Sequence, residues 1–158
     1  MTVKRKKNVK VLASLETLAD FGNTSIEVGW IDPRQEHEGS DLKMAHLAAV
    51  QEYGAKTKNG VVIPPRPMLR TSVRKKAKEW IKQAAELSKA LERGAQINAD
   101  AIFGGVVAES IKSVISDKSN WKPNAPSTAR KKGMNWPLID TRNMVNAVSF
   151  RVHKGKIK

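Results

Sequence analysis

Apolar positions along this chain change their period several times, and each change marks an element. Ile26, Val28 and Trp30 alternate with Glu27 and Gly29, so Ser25 to Ile31 predicts a half-buried strand that Asp32-Pro33 ends. Val148, Phe150 and Val152 alternate in the same way and predict a closing strand. Between them, Leu69, Val73, Ala77, Trp80, Ala84, Leu87 and Leu91 recur at helical spacing, which predicts a single helix from Pro67 to Arg93 with Trp80 and Leu87 facing the core. Gly94 breaks the pattern, and Ile97, Ala101, Gly104, Ala108, Ile111 and Ile115 trace a second stripe. Two helices with matching stripes are expected to cover one sheet. Gly104-Gly105 costs helix propensity, so close approach to another backbone, or a kink, is expected there. Near the start, Leu12, Leu15 and Leu18 recur within Val9 to Ala19, a short helix with Ser14 as N-cap.

The stretch from Ala45 to Arg70, AHLAAVQEYGAKTKNGVVIPPRPMLR, is densely punctuated. Asp41 is placed to cap a helix that runs through Ala45, Ala48 and Ala49 to Tyr53, and Gly54 suits a left-handed cap at its end. Asn59-Gly60 signals a turn, and Val61-Val62-Ile63 reads as a brief extended segment after it. Pro64, Pro65 and Pro67 exclude helix just upstream, while the fixed φ of Pro67 suits a first helical turn. From Asp117 to Pro137 periodicity disappears and Ser, Asn, Pro and Lys dominate, a long exposed excursion. Trp121 and Trp136 lie within it. A Trp beside cations can stack on bases, but anchoring a loop to the body or to a neighbour is the commoner use. Asp140-Thr141 is placed to cap a short helix from Arg142 to Ala147.

The 158 residues, 40% of them hydrophobic, suffice for one core. Cysteine is absent, so packing alone must hold the chain together. No run is long and apolar enough for a membrane span or, behind MTVKRKKNVK, for a signal peptide, so a soluble, untargeted chain is expected. Lys and Arg number 29 against 15 Asp and Glu, a net +14 that calls for an acidic partner, nucleic acid or protein. The excess concentrates in Lys4 to Lys10, Arg66 to Lys82, Arg130 to Lys132 and Arg151 to Lys158. The two terminal clusters read as solvated arms. On the long helix, Arg74, Lys75, Lys76, Lys78 and Lys82 lie off the apolar stripe and are the candidate contacts to DNA or to an acidic neighbour.

Catalytic chemistry has no foothold in the spacing. Glu36-His37-Glu38 with Asp41 and His46 matches no ligand pair such as HExxH, and His153 stands apart in the basic tail. Gly104-Gly105 lacks the Lys-Ser or Lys-Thr of a phosphate loop, and capping accounts for Asp140-Thr141. No nucleophile and base can be paired, so no enzymatic activity, cofactor or metal is expected.

Three motifs, HLAAVQEYG at 46–54, IPPRPMLR at 63–70, and PNAPSTARKKG at 123–133 with PLIDTRNMVNAVSFRV at 137–152, follow VGW at 28–30. In this order and at these separations they resemble the tail completion and neck proteins of long-tailed bacteriophages, a family that also includes head-tail joining and minor tail proteins. The resemblance implies an α+β fold, a small twisted and mainly antiparallel sheet packed against two long helices with a long exposed loop. It implies a structural virion protein, a hexameric ring at the head-proximal end of the tail that completes the tail and helps join it to the capsid. Its neighbours would be tail tube, terminator or head-connector proteins, with non-specific contact to packaged DNA and none to membrane. Residues 11–152 would form the domain, with 1–10 and 153–158 as basic arms. The candidate contacts to subunits or neighbours are Tyr53, Arg66, Arg70, Trp121, Trp136 and Arg142. Where the family reads Asp-Thr-Gly this chain has Asp140-Thr141-Arg142, so a glycine-like backbone at Arg142 is not implied. The alternative is a sequence-blind nucleic-acid-binding module that uses Arg66 to Lys82 and both termini.

Overall fold

Helix α4, Ala99–Ser116, is the element on which the others pack. The structure, a computed structural model, describes residues 16–37 and 41–155. The basic arm 1–10, Ser14 with the leucines at 12 and 15, Glu38 and the last three residues of the basic tail lie outside the described residues. Residues 16–22 are helical (α1) and lead into strand β1, Thr24–Gly29. Then follow α2 (Met44–Tyr53), β2 (Ala55–Lys56), β3 (Val62–Ile63), α3 (Met68–Glu92), α4, a 3-10 turn at Lys118–Asn120, α5 (Pro126–Lys132), α6 (Asn143–Asn146) and β4 (Ser149–Lys154). The class is α+β.

The first and last strands pair antiparallel, with Ile26 opposite Val152 and Val28 opposite Phe150. Their alternation sends Glu27, Arg151 and His153 to the open face, where Glu27 lies 3.8 Å from Arg151 and 3.2 Å from His153. A two-stranded ribbon is marginal by itself in water, and α4 supplies the missing layer by packing on both strands. Here the expectation of two helices on one sheet is corrected. The main contacts of α3 are with α4, so the order is ribbon, α4, α3. β4 also runs through His153 and Lys154, into the basic tail.

Gly104 sets the spacing between α4 and the ribbon. It is buried, and a Cβ built on it would stand 2.3 Å from Cδ2 of Phe150. The expected close approach is thus to an aromatic ring of β4 rather than to a backbone, and the helix runs on through Gly104-Gly105. The N-cap of α4 is Asn98, whose side chain accepts from the Ala101 amide at 3.1 Å.

The main core joins Met44 and Ala48 of α2, Met68 of α3, Val107, Ala108, Ile111, Val114 and Ile115 of α4, and Met144, Val145, Ala147 and Val148 near the end. Trp80 packs on it half-buried. A smaller cluster, Leu87, Leu91 and Ala99 with Leu18 and Phe21 against it, closes the far end of the helix pair. The buried face of α3 is rotated at its start relative to the apolar stripe: Met68, Thr71 and Ser72 are buried, and Val73 is exposed. Ser72 is tolerated inside because its hydroxyl donates to the Met68 carbonyl at 2.8 Å. Leu87→Ala is expected to cost about 2 to 3 kcal/mol, the low end for a buried leucine because its cluster is small. A denaturant midpoint matching that of exposed-site variants would show that this end of the stripe is unpacked.

Two expected caps are replaced. α2 begins after Lys43, with no side-chain cap from Asp41, and Lys43 instead pairs with Glu36 through Nζ and Oε1. α6 begins after Arg142 itself, which holds the N-cap position in place of Asp140 or Thr141, in the left-handed region at φ 64° and with no side-chain cap bond of its own. The arginine therefore takes a left-handed backbone conformation that glycine adopts most freely, at a cost of about 1 to 2 kcal/mol.

Candidate assembly interface

Met44, Ala48 and Glu52 form the buried face of α2, so its inward stripe ends in a carboxylate two residues before the chain reverses at Gly54. Gly54 has φ 76°, and a Cβ there would meet the Ile63 carbonyl oxygen at 2.8 Å. The turn beyond it closes through Thr57 and Gly60, as Asn59-Gly60 predicts, and Ala55–Lys56 pairs with Val62–Ile63 as a short hairpin. Pro67 offers α3 no side-chain cap. Glu52, 5% exposed, fills that role from the neighbouring helix: Oε2 accepts from the Leu69 amide at 2.9 Å and Oε1 from the Arg70 amide at 3.3 Å. A carboxylate on the first amides of a helix also meets the positive end of its dipole. Arg70 completes the cluster, its Nε donating to Glu52 Oε1 at 3.0 Å and its Nη2 to the Glu52 carbonyl at 2.8 Å. The guanidinium then lies 5.2 Å from the centroid of the Tyr53 ring, which is 72% exposed. Sequence reasoning named Tyr53 and Arg70 but missed Glu52, whose fourfold spacing after Met44 and Ala48 was the available signal.

The outer face of α3 carries two parallel rows. Val73, Ala77 and Ile81 recur every fourth residue, with Val73 53% and Ile81 70% exposed. Beside them run Arg70, Arg74, Lys78 and Lys82 at the same interval. The described residues give Arg74, Lys78 and Lys82 no carboxylate partner. Lys75 and Lys76 leave this group. Lys75 is tied to Asn120 through Nζ and Oδ1, and half-buried Lys76 reaches Glu79 at 2.9 Å. Both already hold a partner, so the cations of this face without a carboxylate partner among the described residues are Arg74, Lys78 and Lys82. Exposed Val61 and Val62 of the hairpin add to the apolar surface available outside the core.

The excursion after α4 is more ordered than its composition predicts. Asp117 accepts from the Ser119 amide and hydroxyl, and these two bonds depress its carboxyl pKa. Trp121 is buried and donates to the Ile115 carbonyl at 3.0 Å, while half-buried Trp136 donates to the Ser116 carbonyl at 3.1 Å. Both indoles thus pin the excursion to the end of α4. As a neighbour contact Trp121 is corrected, because its ring is spent inside its own core.

Between α2, α5 and the start of α6 lies a cleft of about 200 Å³, and Arg66 and Arg142 both line it. Arg66 is held by Gln51 Oε1 at 3.3 Å and Asn124 Oδ1 at 3.2 Å. Burial lowers the pKa of Arg66, and burial lowers that of Lys132 across the cleft, opposed there by the charge of Asp140. Sequence reasoning missed Lys132, Asn124 and Gln51, which no local pattern links. Among the described residues no His, Cys, Asp and Glu side chains group to hold a metal ion, and no helix is long and apolar enough to cross a membrane. In comparisons with protein-family models, with curated proteins and with solved structures, nothing matches the chain.

Proposed function

We propose that this chain is a structural subunit of a bacteriophage tail or neck, assembling as a ring at the head-proximal end of the tail, completing it and helping to join it to the capsid. The observation that carries the reading is the outer face of α3, where exposed Val73 and Ile81 lie against a basic row without carboxylate partners among the described residues and beside the Tyr53 and Arg70 stack. A monomer gains nothing from exposed Val73 and Ile81, whereas a neighbouring subunit covers them and reads the charges as orientation. The ordered motif set that resembles the tail completion and neck family supports the same reading. A hexameric ring, contacts with tube, terminator or connector proteins, and a place in the virion belong to this proposal.

The basic row also favours a second reading, a sequence-blind nucleic-acid-binding module. Two variants separate them, because all the residues involved are exposed and each is expected to stay within about 0.5 kcal/mol of the parent stability. Val73→Ser with Ile81→Ser is expected to leave tails that fail to join heads or run overlong in electron micrographs, with DNA retention unchanged. Arg74→Glu, Lys78→Glu and Lys82→Glu together test the charge. Lost DNA affinity with normal particles from both variants would overturn the structural reading in favour of the nucleic-acid module, and complete, infectious particles lacking the protein would refute a neck role outright.

A further inference from the structure

The hydrogen-bond inventory of the cleft around Arg66 is weighted toward donors, with the buried Nδ1 of His37 also without a partner among the described residues. Asn124 has its orientation fixed, because its Oδ1 accepts from Arg66 Nη2 at 3.2 Å, and a flipped amide would set donor against donor. Its Nδ2 is therefore a committed donor. Asn124 Nδ2 and Arg66 Nε are both buried and both lack an acceptor among the described residues. Lys132 spends one bond on the Ile139 carbonyl, which leaves donor capacity on its ammonium, and Arg142 brings a second guanidinium to the rim. Against three cations the cleft lining offers one carboxylate, Asp140. Both bonds that hold the Arg66 side chain, at 3.2 and 3.3 Å, go to neutral acceptors and are long beside the usual 2.7 to 2.9 Å of a guanidinium on a carboxylate. The guanidinium is thus loosely held.

Unspent donors, uncompensated positive charge and a partly dry site have a common complement: a group that only accepts hydrogen bonds and carries negative charge. We infer that the cleft between α2, α5 and α6 is a binding site for a single oxyanion, a carboxylate or phosphate group, held by Arg66, Lys132 and Arg142 with Asn124 as a neutral donor. Depressed pKa values at Arg66 and Lys132 accord with this, since both cations have lost water without gaining enough countercharge. The inference stands apart from ring assembly, because it concerns one chain and a small ion.

The test uses the full chain labelled with nitrogen-15, following the Arg66 Nε–H and Asn124 side-chain amide signals while sodium phosphate and sodium acetate are added in separate titrations against sodium chloride at matched ionic strength. Saturable shifts with a midpoint below about 10 mM are expected from at least one of the two ions. The ion that saturates identifies the source, phosphate or carboxylate. Lys132→Gln, which keeps a donor for Ile139, is expected to weaken binding at least tenfold. Lys131→Gln, exposed on the same helix and outside the cleft, should leave it unchanged. Arg142→Gln serves in place of Lys132→Gln if that variant loses spectral dispersion. Shifts that never saturate, that chloride reproduces, or that Lys131→Gln weakens as much as the cleft variants would overturn the site.

Discussion

Replacing Glu52 by alanine is expected to destabilise the protein by about 3 kcal/mol, although the substitution lies at the end of a short helix and outside both hydrophobic clusters. Two losses add up. The amides of Leu69 and Arg70 forfeit the carboxylate that caps α3, a cap typically worth about 1 kcal/mol, and because they are part-buried, leaving them without an acceptor carries the loss toward about 3 kcal/mol. Arg70 loses its partner too, but its side chain is 61% exposed and water recovers most of that term. Glu52→Gln, which retains one acceptor oxygen, is expected to lose roughly half as much. Thermal unfolding is the measurement, with a fall on the order of 10 °C expected for the alanine variant. A fall of 2 °C or less would show that water caps α3 as well as Glu52 does.

The largest effect is expected at Gly104. A leucine there has no space, because even the first carbon of its side chain would sit 2.3 Å from the Phe150 ring, and the ring belongs to a strand that one neighbouring strand and one helix hold. Overpacking of a fitted core costs about 1 to 3 kcal/mol for small insertions, so four added carbons should exceed 3 kcal/mol and detach β4 from α4. Phe150→Ala by itself should cost about 2 to 3 kcal/mol, since the ring is half-buried. Combined, the two substitutions exchange volume across the contact, and the double variant is expected to be at least about 2 kcal/mol more stable than Gly104→Leu alone. Strictly additive losses in a double-mutant cycle would mean that the contact does not set the distance between helix and ribbon.

Elements with a local code were legible in the sequence. Alternation at Ile26–Val28 and Phe150–Val152 marked the ribbon, Asn59-Gly60 the hairpin, and the spacing of Leu87 and Leu91 the far end of α3. What stayed hidden depended on partners distant in sequence. Glu52 caps amides 17 and 18 positions away, and no local motif announces such a cap. Ser72 is buried where Val73 is exposed because a serine can satisfy its hydroxyl on its own helix, so hydrophobicity alone rotated the expected face. The loop-like composition of 117–137 concealed two indoles whose N–H groups find carbonyls at the end of α4. Of the candidate site, the exposed cations of α3 were visible as a run, but telling those with a partner from those without one among the described residues required knowing that Asn120 and Glu79 lie beside Lys75 and Lys76. The cleft was invisible, since Arg66, Asn124 and Lys132 meet only in three dimensions.

Pairing the first strand with the last has a consequence for synthesis. Ser25 bonds to Gly155 across 130 positions, so during translation the ribbon stays open while nearly everything between its strands is made. Until β4 leaves the ribosome, β1 has an unpaired edge and α4 shows the bare surface around Gly104 that Phe150 later covers. Closing so long a loop is slow, and the helix pair, whose contacts are closer in sequence, is positioned to form first. A nascent chain cut short before residue 149 would carry both long helices and an unpaired strand, the kind of product that quality-control proteases remove. Closure of the fold thus waits on synthesis of β4, and a copy cut short before that strand would be cleared rather than accumulate.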